Sequence, residues 1–130
     1  KFNHDQPQVI ISCRGSCGNT YFTSPYSWIT GNAMVIKPKS NVLSKEYIFS
    51  YLKNIGVDKY LSGSVQKQLT RENLKNMEIY VPKFNDCLMF TIKVREYHEK
   101  IFKIRDENEK LVKIRDFLLP LLLNGQVIIR

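Results

Sequence analysis

The chain has 130 residues, 43% of them hydrophobic and 25% charged, with a net charge of +8 at pH 7. That length allows one modest core rather than two, and the composition excludes a disordered protein. No apolar run in the sequence approaches the ~20 residues of a membrane-spanning helix. In chain order, Val9-Ile10-Ile11-Ser12-Cys13 is short and β-branched and predicts a buried strand. It enters Arg14-Gly15-Ser16-Cys17-Gly18-Asn19-Thr20, a turn with two glycines that suits either close approach to a ligand or a plain hairpin reversal. Tyr21-Phe22-Thr23 predicts the return strand and Ser24-Pro25-Tyr26-Ser27 a turn. Trp28-Ile29-Thr30 reads as a short extended piece, and residues 32–37 as another strand closed by Pro38.

Ser44 predicts an N-cap, with Glu46 in the first turn where the helix dipole favours it. Tyr47, Ile48, Tyr51, Leu52 and Ile55 share one helical face, and Gly56 ends that helix. Residues 57–61 predict a short helical turn, and the polar residues 62–68 a loop or an edge strand. Thr70 then caps a second short helix, with Leu74 and Met77 facing inward. Glu78-Ile79-Tyr80-Val81 alternates and predicts a strand that stops at Pro82.

From about Asp86, capped by that residue or by Asn85, the sequence predicts one long helix. Tyr97, Ile101, Ile104, Asn108, Leu111, Arg115, Leu118 and Leu122 follow in alternating steps of four and three, the period of a coiled-coil seam. At ~1.5 Å per residue, a helix of roughly 35–38 residues would be about 55 Å long. Pro120 predicts a kink or break near Leu119, followed by a short piece to Asn124-Gly125. Residues 126–129 are β-prone and predict a tail or short strand. The expected fold class is α+β: a small mixed sheet with short helices, then one long coiled-coil-type helix. The expected divisions are residues 1–83, 84–125 and 126–130.

Charge is unevenly placed. Residues 1–85 carry eleven Lys or Arg against five acids, whereas the remainder carries nine against seven. A solvated surface accounts for this as well as a polyanion-binding face does. Three cysteines, an odd number, argue for a reducing compartment and a cytoplasmic location. Cys13 and Cys17 have no second ligand pair, and the histidines are His4 and His98 only, so buried thiols explain them better than a zinc site. The sequence has no P-loop, no methyltransferase-type Asn-Pro-Pro-Tyr motif and no Ser/His/Asp constellation, which argues against catalysis.

Taken in order, Arg14-Gly15-x-x-Gly18-Asn19, Asn32-Ala33-x-Val35-Ile36-x-Pro38, a helix, Gly63-x-x-Gln66-x-x-Leu69-Thr70-x-x-x-Leu74-x-x-Met77-x-Ile79-x-x-Pro82, a heptad helix and Leu118-Leu119-Pro120-x-Leu122-Leu123-x-Gly125 form a co-linear set. This set resembles the specificity (S) subunit of type I restriction–modification systems, over essentially the whole chain. The match is to the second part of a target-recognition domain plus the helical spacer after it. Such a domain is about twice as long as residues 1–83, so the resemblance, with the absence of an initial Met, implies a fragment or half-subunit. One position departs from the family pattern: Cys87 stands where a Gln is usual, in a place that caps or packs the helix start.

The resemblance implies a non-catalytic reader of duplex DNA that needs no cofactor and no metal. Its implied partners are double-stranded DNA, methyltransferase subunits and, through them, restriction subunits. Reading needs Lys and Arg for phosphates and amides or hydroxyls for base edges. Arg14, Ser16, Asn19 and Thr20 in one turn, and Gln66, Lys67, Gln68 and Arg71 in the other segment, supply this mixture. For Arg14, a salt bridge fastening its turn is slightly the better reading. Gly15, Gly18 and Gly63 read as turn makers, and Tyr26 and Trp28 as core or rim packing rather than base-stacking groups. Family S subunits pair two long helices antiparallel, so the single seam here implies a homodimer through Tyr97, Ile101, Ile104, Asn108, Leu111, Leu118 and Leu122. Two alternatives remain: the recognition part of a fused restriction–methyltransferase, and a coiled-coil oligomerisation module without DNA binding of its own.

Overall fold

A computed structural model describes residues 1–64 and 66–126 of the chain. Three short strands, β1 (Val9–Ser12), β2 (Thr20–Phe22) and β3 (Ala33–Ile36), form one sheet in the order β2-β1-β3. Both pairings are antiparallel, with Ile10 opposite Tyr21 on one side and Val35 on the other. This refines the expected mixed sheet: no helix lies between these strands to carry a parallel crossover. Burial alternates along the central strand. Val9 and Ile11 are fully covered, while Ile10 and Ser12 are only half-covered.

Helix α1 (Lys45–Ile55) covers that buried face with Ile48 and Leu52, both 2% exposed, and its Phe49 ring meets Phe22 at 5.5 Å. Its ends follow the sequence. The Ser44 hydroxyl accepts the Tyr47 N–H at 3.0 Å, and the Gly56 N–H donates to the Leu52 carbonyl at 2.9 Å. A 3-10 turn (Asp58–Tyr60) and α2 (Arg71–Lys75) follow. The Thr70 hydroxyl caps α2 by accepting the Asn73 N–H at 3.2 Å, and Leu74 and Met77 are half-buried.

Residues 78–81 correct the expectation of a strand. Their carbonyls are taken by side chains instead: the Tyr47 hydroxyl donates to Tyr80 O at 2.9 Å and the Tyr51 hydroxyl to Glu78 O at 3.2 Å. Two tyrosines one helical turn apart thus hold this extended stretch without a ladder, and Tyr80 and Val81 point to solvent. Burial, followed by the neighbouring Tyr51, raises the Tyr47 hydroxyl pKa, so it remains a donor at neutral pH.

Helix α3 (Phe84–Leu123) spans 40 residues. It begins two or three residues earlier than a cap at Asn85 or Asp86 would place it, because the Lys83 carbonyl already accepts the Cys87 N–H at 3.1 Å. Cys87 is 2% exposed, so it packs the helix start. Thr91 is buried beside it, its hydroxyl 2.7 Å from that of Ser44 and donating to Cys87 O at 2.6 Å, and Phe90 meets Tyr47 edge-on. Pro120 does not interrupt the helix, contrary to expectation. It lies within four residues of the end, so its missing N–H removes one bond while the chain continues to a Schellman stop. There Gln126 N–H donates to Leu121 O at 2.9 Å and Gly125 N–H to Leu122 O at 3.1 Å, with Gly125 at φ 66°. The strand or tail expected over residues 126–130 lies, beyond Gln126, outside the described residues.

The chain divides into two units, Lys1–Val94 and Arg95–Arg130. The first contains the sheet, α1, α2 and the start of α3; the described part of the second is helix and its stop. Removing the core side chain at the centre of the sheet tests this account of the first unit. Ile11→Ala should cost about 2–5 kcal/mol, read as a lower urea midpoint with an unchanged slope.

Candidate nucleic-acid interface

The end of β1 places the candidate site. From Cys13 the chain turns through residues 14–19, where Gly15 and Gly18 both have positive φ, and re-enters the sheet at Thr20. Gly18 N–H returns to Ser12 O at 2.9 Å and Ser12 N–H to Asn19 O at 3.0 Å, which closes the turn. The second segment closes on itself. Ser62 and Gln68 exchange backbone bonds at 3.0 and 2.9 Å, and Gly63 between them sits at φ 97°. A Cβ there would lie 2.2 Å from Gln66 O, so no residue with a side chain fits this turn unchanged.

The two segments meet. Leu69 N–H donates to Cys13 O at 3.2 Å, and the Cys17 thiol lies 2.8 Å from Lys67 O. Between them opens a cleft of about 700 Å³ lined by Arg14, Gly15, Ser64, Gln66, Lys67 and Gln68. Of the site residues expected from sequence, Arg14, Gln66, Lys67 and Gln68 therefore come together, all four exposed. Arg71, also exposed, lies close enough to Cys13 to act on its thiol, as Arg14 does. Burial nevertheless dominates there and raises the Cys13 pKa.

Other expected residues do not join this group. Asn19 and Thr20 border a separate depression of about 130 Å³ against the end of α1, with Lys53 and Asp58. Thr20 is 4% exposed and stands in the sheet, paired opposite Ile11. Ser16 is exposed at the tip of its turn and does not line the cleft. Ser64 lines the cleft without having been singled out from sequence. The Gly63-Ser64 pair was the available signal, since a glycine forced by the turn fixes where its neighbour stands. Tyr26 and Trp28 are 68% and 62% exposed, hence rim and not core, and Tyr26 meets Phe2 edge-on at 5.1 Å.

In the second unit the seam positions lie open. Tyr97, Ile104 and Leu111 are each more than half exposed, Ile101 and Leu118 more than a third, and Leu122 is half-buried. Asn108 is exposed among them. Asp106 and Lys110 pair at 2.6 Å one turn apart on the helix surface, and that carboxylate raises the lysine pKa. Among the described residues no three His, Cys, Asp or Glu side chains group as a metal site, and no helix is long and apolar enough to cross a membrane.

The described residues form a small α+β domain, with a cleft lined by Arg14, Lys67 and two glutamines, followed by one long helix. A family model for the type I restriction modification DNA specificity domain matches residues 1–114, and the chain belongs to that family. The family is one of specificity domains, whose work is DNA recognition rather than catalysis. No curated protein matches the sequence significantly.

The loop geometry gives a direct test. Gly63→Ala should cost about 1–3 kcal/mol in urea unfolding. It should also speed exchange of the Gln68 amide, because the Ser62–Gln68 pair can no longer close.

Proposed function

We propose that this chain reads duplex DNA through the cleft between residues 14–15 and 64–68, within a type I restriction–modification assembly. One observation carries the reading: Arg14 and Lys67 stand on the same cleft as the amides of Gln66 and Gln68. The cations neutralise phosphates and fix register, while the amides offer paired donors and acceptors to base edges. Residues 1–83 hold this recognition role, and residues 84–125 form the spacer.

The seam of α3 serves assembly. Its open Ile101, Ile104, Leu111, Leu118 and Leu122 pair antiparallel with a second copy, and Asn108 sets the register. Burying five such side chains at ~1.5–3 kcal/mol each gives roughly 10 kcal/mol before association costs, enough for a dimer. The outer faces of the paired helices offer docking surface to methyltransferase subunits, which carry the chemistry that this chain lacks.

Two measurements test these roles separately. Lys67→Ala and Arg71→Ala should each weaken binding to all duplexes alike and lower the slope of log affinity against log salt by about one. Unchanged slopes would remove both side chains from the interface. Sedimentation equilibrium at micromolar concentration should give a dimer for the chain and a monomer for Leu111→Asp. A monomeric parent chain would rule out self-pairing.

A further inference from the structure

We infer that Cys17 is a positioning residue for DNA recognition: its thiol clasps the loop of residues 62–68 to the turn of residues 14–19 and so sets where Lys67 and Gln68 stand. The inference rests on reading the adjoining cleft as the DNA site. The Cys17 sulfur lies 2.8 Å from Lys67 O and 2.9 Å from Cys13 O, so its single proton is shared between carbonyls 54 residues apart in the chain. Cys13 O also accepts Leu69 N–H at 3.2 Å. Lys67 and Leu69 are thereby tied to one point at the end of β1, and Gln68 is held between them.

The rest of the geometry leaves this task to the thiol. The Ser62–Gln68 pair closes the loop on itself but fastens it to nothing else. The thiol's own base is fixed, because Cys17 N–H donates to Gly15 O at 2.9 Å and Gly18 N–H to Ser12 O at 2.9 Å. Among the described residues, the thiol and the Leu69 N–H supply the hydrogen bonds that join loop to turn. Cys17 is only half-buried, so packing alone gives no reason for a sulfur here. A donor at this position does: a hydroxyl preserves it and a methyl group abolishes it.

The experiment compares the full chain with Cys17→Ala and Cys17→Ser by hydrogen exchange and by binding to a random-sequence duplex across a salt series. In Cys17→Ala, amide exchange across residues 62–69 should rise roughly three- to tenfold, the range expected for one lost weak hydrogen bond. The salt slope should fall by about one as Lys67 leaves its phosphate. Cys17→Ser should keep both near the parent values. Unchanged loop exchange in Cys17→Ala, equal behaviour of the two variants, or a rise spread evenly over β1 and α1 would each overturn the clasp. If no form of the chain binds duplex, the DNA reading fails, while the exchange comparison still decides whether the clasp exists.

Discussion

Burial of Val9 and Ile11 beneath Ile48 and Leu52 is the constraint from which the geometry of the cleft follows. These four side chains clamp β1 between its two neighbours and under α1, so the end of β1 is a fixed point. Cys13 sits at that point and its carbonyl is the junction of two segments far apart in sequence. The turn after β1 closes on the sheet itself, whereas, among the described residues, the hydrogen bonds that join the later loop to it come from the Leu69 N–H and the Cys17 thiol. The exposed polar side chains of Arg14, Gln66, Lys67 and Gln68 thus stand on loops held at the end of a buried strand.

Much of this was legible in the sequence because local rules decide it. β-branched residues gave β1, and the Ser44, Gly56 and Thr70 caps bracket their helices as read. The period of the seam gave a helix that is in fact continuous. The departures have separate causes: a distant group at residues 78–81, and position within the element elsewhere. Residues 78–81 alternate as a strand should, but Tyr47 and Tyr51 take their carbonyls first. Pro120 reads as a breaker only if the helix has to continue well beyond it. Thr20 reads as part of the turn but stands in the strand, which begins one residue earlier than the turn composition suggests.

The candidate site divides the same way. That residues 66–68 and Arg14 are exposed and polar could be read from type alone. That they line one cleft could not, because the apposition depends on the Leu69–Cys13 bond, which no local pattern encodes. Charge differs between the two parts of the chain as well. The excess of basic residues lies before residue 86, while the helix that follows is nearly balanced and carries its information in an apolar stripe. A balanced surface with an open seam suits association with other protein helices, and a cationic, amide-lined cleft suits a polyanion.

The most direct test of the cleft as reader is a titration of the full, isotope-labelled chain with duplex DNA, followed by amide chemical shifts. The account predicts that Arg14, Gly15, Gln66, Lys67 and Gln68 move together, with one dependence on DNA concentration. It also predicts that the indole of Trp28, exposed on the rim, stays in place. Shifts concentrated at Trp28 and Tyr26, or at the depression beside Lys53 and Asp58, with the cleft residues unmoved, would contradict it.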